Sequence, residues 1–449
     1  MGHRSFSFCL SLIWLMSVAI ASTTRAEPFA YVTNRNSNSV SVIDTSTNVE
    51  VTTIFVGVAP QFVAVTPTGD FAYVGNALSH DISVIDTSNN TVADTIAVGL
   101  IPHAIAFTPD GAFAYVTNKD SNNVMVINTA TPRMVVATVP VAWRPAGIAI
   151  TPDGKFAYVA NELPLPPIAP SVSVIDTATN TVVQTIDVPN NPGWLAIAPD
   201  GQHVYIPQAT ADAVAILDTN SNTLIGSVSV GDNPVAVVFS PDGAYAYVSN
   251  YLSHSISVID TSTRMVIATV PVGQRPFRPA VTPDGAFLYV PNSLSNTVSV
   301  IDTAQNTVVQ TLTVGAAPWG VAMTPIVYSC DGFRAPMNAG AVTVRKNRAL
   351  PLKAWVLDRN GQLVTDAGIA APPVLQVLYN SNTQQAEDVS DEAVPAGQGT
   401  NGNQFEFNDE WRFNLLTKNY TASGTYTLRM VAGDNYLINP TCEAAFVID

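Results

Sequence analysis

The 449-residue sequence is short of charge: Asp, Glu, Lys and Arg make up 12% of it, about half the share of an average soluble protein. A helical bundle draws heavily on Glu, Lys, Leu and Arg, and a disordered chain on still more charge, so both classes are excluded. Positive charge is scarcer still. With 19 Lys and Arg against 34 Asp and Glu, the formal net charge is −15. That removes any general attraction to phosphates and excludes nucleic acid as a partner. Cysteine is nearly absent, with three in the whole chain, and no Cys/His group has metal-ligand spacing, so no metal is expected. No nucleophile elbow, phosphate-binding loop or dinucleotide fingerprint occurs, and no cofactor is expected. After the N-terminal segment no run approaches the ~20 apolar residues a membrane-spanning helix requires.

What is present is a strand-and-turn composition, 47% hydrophobic with 32 Pro and 26 Gly. The start is different in kind. Met1-Gly2-His3-Arg4 supplies a short positive head, and Phe6 to Ala21 is uncharged and mostly apolar. Ala19-Ile20-Ala21 and Thr24-Arg25-Ala26 both fit the small-residue pattern before a signal-peptidase cut. Residues 1–26 therefore read as a signal peptide, with cleavage after Ala26 favoured, and the protein as exported: periplasmic, secreted or on a bacterial cell surface. Cys9 leaves with the signal. Cys330 and Cys442 remain, and an even count in an oxidising compartment reads as a disulfide.

Residues 27–325 repeat seven times. Tyr31-Val32-Thr33-Asn34 has counterparts beginning at Tyr73, Tyr115, Tyr158, Tyr205, Tyr247 and Tyr289, spaced 42, 42, 43, 47, 42 and 42 residues. Val-Ile-Asp-Thr segments end at Thr45, Thr87, Thr129, Thr177, Thr219, Thr261 and Thr303, and apolar runs end in Pro67, Pro109, Pro152, Pro199, Pro241, Pro283 and Pro325. Periods of 40–45 residues holding four short strands are the signature of propeller blades. In the third unit Ile105–Phe107, Ala114–Thr117, Val124–Ile127 and Val135–Val139 read as strands A to D. The first unit begins at strand B, and a spare strand A, Gly320 to Met323, follows the last. The expected fold is an all-β, seven-bladed propeller, its C-terminal strand A completing the N-terminal blade and removing the open edge of the array. Small residues facing the axis are expected at Ala64, Ala106, Ala149, Ala196, Val238, Ala280 and Ala322.

These segments resemble the YVTN family of β-propeller proteins. The resemblance covers all seven units and implies the fold and an exported or surface location. It does not assign an activity. From about Ile326 the period stops. Strand-like runs at Ala341–Val344, Leu350–Leu357, Val374–Tyr379, Trp411–Leu416, Thr425–Val431 and Ala444–Ile448 suggest an immunoglobulin-like β-sandwich over 326–449. Gly332-Phe333-Arg334-Ala335-Pro336 and Pro351-Leu352-Lys353-Ala354 resemble a terminal module of PxKF type, with Cys330 and Cys442 near its two ends.

Because the units align with one another, positions that vary among them are free of the common fold. The most variable place is the connection from strand D to strand A, which with the B–C loop surrounds one channel mouth. It carries Phe62, His103, Trp143, Arg144, Trp194, Arg275, Phe277, Arg278 and Trp319, which hold all three Trp of the repeat region and three of its six Arg. Aromatic faces and planar guanidinium forks suit a small anionic or aromatic ligand, or a protein or glycan partner. The alternative is that these side chains merely plug the channel. His103 is the one candidate general base, though a solvated loop histidine is the simpler reading. A non-catalytic recognition protein is favoured over a lactonase-like hydrolase or lyase. The enzyme would require a carboxylate from Asp81, Asp120, Glu162 or Asp232 beside His103. A structural surface-coat role is the third reading. His80 and His254 occupy equivalent loop positions too far apart around the ring to share a metal.

Overall fold

A computed structural model describes residues 28–162 and 169–333, and beyond these chiefly the strands Val342–Val344, Ala349–Leu357, Val374–Asn380, Glu387–Asp388, Glu406–Phe407, Trp411–Leu416, Thr425–Val431, Tyr436–Ile438 and Cys442–Ile448. The segment expected to be a signal peptide and most of the long fourth B–C loop lie outside the described residues. Every regular element described is a β-strand. Seven four-stranded antiparallel sheets form the blades of a propeller. Blade 3 is representative, with strands Pro102–Phe107, Phe113–Asn118, Asn123–Asn128 and Met134–Pro140. Blade 1 is built from both ends of the ring: Pro318–Met323 pairs antiparallel with Phe29–Asn34, setting Ala322 opposite Tyr31 and Val321 opposite Val32. The ring is closed as the order of its landmarks requires.

Each repeated residue has a structural task. The tyrosine of the tetrapeptide buries its ring and sends its hydroxyl into the next blade. Tyr115 donates to Asn180 Oδ1 at 2.6 Å and Tyr158 to Asn222 Oδ1 at 2.7 Å, while Tyr289 in the last blade reaches Asn48 in the first. Burial raises Tyr115 and Tyr158 to about 12. The Asp of Val-Ile-Asp-Thr accepts from backbone N–H groups of its own turn, as in Asp218 from Ser221 at 2.8 Å, which holds its carboxyl below the usual range. Side-chain capping of this kind is a turn device. The following Thr ties that turn to the A–B turn: Thr129 Oγ1 donates to the Gly111 carbonyl at 2.6 Å, and Gly111 sits at φ +70°, open to glycine without strain. The repeats build the ring. They leave function to the positions that differ.

Beyond the ring the described strands form two five-stranded sheets. Their ranges lie close to those read from the sequence. Ala349–Leu357 pairs with Trp411–Leu416, and Thr425–Val431 with Cys442–Ile448. Cys330 and Cys442 are on strands of different sheets, and the expected bond between them lies outside the described side chains.

Candidate functional site

The site is created where two blades break the pattern. The third residue of the tetrapeptide is Pro207 in blade 5 and Pro291 in blade 7, against Thr33, Gly75, Thr117, Ala160 and Ser249 elsewhere. In blades 2, 3, 6 and 1 this residue faces Phe62, Ala104, Ala236 and Gly320 in strand A of the same blade. Proline has no N–H to offer a strand partner. Strand A is accordingly reduced to Ala196–Ile197 in blade 5 and Ala280–Val281 in blade 7. The residues before it swing to the neighbouring blade and pair parallel, Trp194 with Ala236 and Arg278 with Gly320. Trp194 N–H donates to Val235 O at 2.9 Å, and Arg278 N–H to Trp319 O at 3.1 Å. Gly193 allows this approach, since a Cβ there would stand 2.6 Å from Val235 O.

Five of the nine expected site residues consequently meet at the centre. The His103 ring stacks on Trp194 at 4.6 Å and 20°, Trp194 meets Phe277 edge-on at 5.0 Å, and Phe277 lies 4.3 Å from Trp319. The Arg278 guanidinium lies 5.4 Å from the Trp194 ring centroid and that of Arg35 5.1 Å from Trp319, within cation–π range. Arg275 stacks instead on Tyr251 at 5.2 Å. Above this cluster is a cavity of about 280 Å3, walled by His103, Trp194, Phe277 and Trp319 with Lys119, Glu162, Asn233 and Tyr251. The opposite mouth, lined by Pro67, Pro199, Pro241, Pro283 and Pro325, has no charged group in its lining.

The remaining expected residues are elsewhere. Phe62 is fully buried inside blade 2, in the space a side chain at Gly75 would take: a Cβ there would come within 1.9 Å of the Phe62 ring. Its variability among the repeats reflects core exchange, not ligand binding. Trp143 and Arg144 stand on the outer rim. Trp143 is 46% exposed, and Arg144 reaches Asp120 at 3.9 Å. Loops and connections at the same ends of other blades also expose Val58, Leu78, Leu100, Leu252 and Leu294.

A second variable position, directly after the tetrapeptide, holds Arg35, Ala77, Lys119, Glu162, Ala209, Tyr251 and Ser293; of these only Glu162 was among the expected residues, as a carboxylate for His103, and the others were missed by the sequence reading. The N–H of each donates to the carbonyl of the residue before the leading proline, as Lys119 to Ile101 at 2.9 Å and Tyr251 to Asn233 at 3.0 Å. These bonds hold the B–C loops against the D–A connections and bring their side chains to the mouth. Variation at that position was the available signal. His80 and His254 also have a structural explanation. The Nδ1 of each lies 3.2 Å from a backbone N–H of the next connection, Ile101 and Arg275 respectively, the role Asn38, Asn122, Asp212 and Asn296 fill in other blades.

His103 is buried, not solvated. Desolvation first, then Lys119 and Arg278, push its pKa well below the usual imidazole value, opposed by a hydrogen bond to the Ala146 carbonyl. Its Nδ1 has no partner among the described residues. Among the described residues no carboxylate pairs with it: Glu162 binds Lys119 at 2.6 Å, Asp120 lies against Arg144, and Asp81 accepts from Asn76 at 2.6 Å. The unfolded chain takes up a proton near pH 6.5 while folded His103 stays neutral. Proton uptake by the unfolded state lowers stability as pH falls. Urea melts are expected to show stability declining below about pH 6.5, with a shallower slope in His103→Gln. An equal slope in the variant would remove His103 as the cause.

Comparisons with known proteins agree with this architecture. The family model described as "Lactonase, 7-bladed beta-propeller" matches residues 171–274, and that described as "YNCE-like beta-propeller" matches residues 7–160. No curated protein matches the sequence. Among solved structures, Kuenenia stuttgartiensis hydrazine synthase aligns at 25% identity and TM-score 0.58, over 64% of this chain and 99% of that one. A functionally unknown protein from Desulfotomaculum acetoxidans aligns at 22% identity and TM-score 0.51, over 66% of this chain and 94% of that one. Dihydro-heme d1 dehydrogenase NirN, solved in complex with DHE, aligns at 15% and 0.51, over 65% of this chain and 74% of that one. The shared property is the propeller fold.

Proposed function

We propose that this is an exported, non-catalytic recognition protein of YVTN type, whose loop face binds a small ligand over the central aromatic cluster. The C-terminal strands, in this reading, form an immunoglobulin-like spacer or adhesion module of PxKF type, stapled by Cys330 and Cys442. The observation that carries the proposal is the inward swing of Trp194 and Arg278. Two blades give up a regular strand A to place these side chains at the axis, and departures from a repeating pattern mark function more often than fold. A concave site with an apolar floor and a few convergent polar groups is the usual form of a ligand pocket. At about 280 Å3 it suits a compact molecule, near the lower end of the usual ~300–1,000 Å3 range. A carboxylate-assisted histidine, which the enzyme reading needs, is missing among the described residues. Exposed Trp143 offers a further contact point if the ligand is displayed on a protein or glycan.

The test is thermal unfolding of the full chain against a panel of small aromatic compounds, charged and neutral. At least one is expected to raise Tm, because a ligand that binds only the folded state at a hundred times Kd stabilises by about 2.7 kcal/mol. The shift should shrink in Trp319→Ala. A panel without any stabilising member would reduce the cluster to a channel plug and end the proposal.

A further inference from the structure

The hydrogen-bonding inventory of the cluster is unbalanced toward donors. Arg278 Nη1, Arg35 Nε, Trp194 Nε1 and Trp319 Nε1 are all buried atoms with no acceptor among the described residues. They belong to one continuous group, since Arg278 lies on Trp194, Arg35 on Trp319, and both indoles against Phe277. Two of the four side chains are cationic. Buried donors are nearly always satisfied in folded proteins, and leaving one unmade costs more than a typical hydrogen bond contributes. An unpaired cation away from water is costlier still. Desolvation lowers the Arg278 guanidinium to about 9, so at neutral pH the charge persists, and no counter-ion pairs with it among the described residues. Arg278 is half-buried: its Nη1 is enclosed, while part of the residue's surface stays accessible. On the acceptor side, His103 Nδ1 is the unpartnered buried atom of the cluster among the described residues, and the Glu162 carboxylate in the cavity wall is already paired with Lys119.

From this we infer that the ligand is a small carboxylate with a flat apolar body. Its oxygens would accept from the two indole N–H groups and from Arg278, with Arg35 adding charge. Its body would lie in the cavity against Tyr251 and Phe277. The inference rests on the binding role proposed above and adds to it the sign and chemistry of the ligand. Bidentate pairing with a planar guanidinium favours a carboxylate over a spherical anion. The charge distribution agrees. The Asp residues of the A–B and C–D turns, such as Asp110, Asp153, Asp218 and Asp260, are at the opposite ends of the blades from the cluster, and the one acid lining the loop-side cavity, Glu162, is paired with Lys119.

Benzoate and its neutral isostere benzamide separate the possibilities, followed on the full-length protein by thermal shift and by quenching of tryptophan fluorescence. Benzoate is expected to raise Tm and quench, while benzamide does neither. Arg278→Met keeps the apolar stem and removes an uncompensated charge, so the variant should fold at least as stably as the parent. Its affinity for benzoate should fall about tenfold to a hundredfold, the range for a lost charge-assisted hydrogen bond. If the variant fails to fold, the salt dependence of benzoate binding to the parent decides, weakening with added chloride being the expected result. Equal binding of benzoate and benzamide would overturn the carboxylate assignment and leave the binding role intact. So would a panel stabilised only by neutral compounds. If no compound binds, both fall, and the donors are met by water alone.

Discussion

Phe62→Ala is expected to destabilise the propeller by about 3–5 kcal/mol, the usual cost of emptying a core aromatic site. Phe62 is fully buried and packs with Tyr73, Ile82, Ile105 and Val116 between blades 2 and 3. The sharper expectation concerns its partner. Gly75→Thr alone should also destabilise, because the new Cβ would fall 1.9 Å from the Phe62 ring and over-packing typically costs about 1–3 kcal/mol. Combined, Phe62→Ala and Gly75→Thr recreate the arrangement of blade 3, where Thr117 Oγ1 takes the Ala104 N–H at 2.9 Å and donates to the Ala146 carbonyl at 2.9 Å. The double variant should be more stable than the sum of its parts, and more stable than Phe62→Ala. Chemical denaturation of the four proteins measures the coupling directly. Additive losses would show that the pair does not share one space.

Ala322→Pro is expected to have the second large effect, because it attacks closure. Ala322 stands opposite Tyr31 in the ladder that joins the last strand of the ring to the first, and a proline inside a sheet removes a ladder donor and clashes. Losing this ladder releases the blade 1 strand from a partner some 290 residues distant in sequence and exposes two sheet edges, a template for aggregation. Ala106→Pro provides the control. Ala106 has the same position in blade 3, opposite Tyr115, where the neighbouring strand is contiguous in the chain. Ala322→Pro should lower Tm further and yield an aggregating, protease-sensitive protein. Equal losses for the two would show that closure at blade 1 adds nothing to the strength of an ordinary blade.

Much of this molecule is legible without coordinates because its repeats act as a comparison of the sequence with itself. The seven tyrosines, the Val-Ile-Asp-Thr turns and the spare strand at Gly320 led to the ring and to the blade where it closes, and the structure places them so. The same comparison located the D–A connections and therefore His103, Trp194, Phe277, Arg278 and Trp319. It failed at Phe62, where variation arises from exchange with Gly75, a position thirteen residues away in sequence that touches it only through the sheet. It also passed over Lys119 and Tyr251, whose place at the mouth depends on bonds between two loops.

What the sequence by itself determined was the local and the periodic: strands from β-branched alternation, turns from Asp, Thr and Gly, seven blades from the period, and closure from the order of strands. Those properties follow from short-range sterics and from counting, so a linear text carries them. Only the tertiary structure decided which of the variable side chains share the axis. Pro207 and Pro291 each withhold one N–H from a neighbouring strand. The backbone released by that loss finds its partner in the next blade, and the direction it takes depends on the whole ring being present.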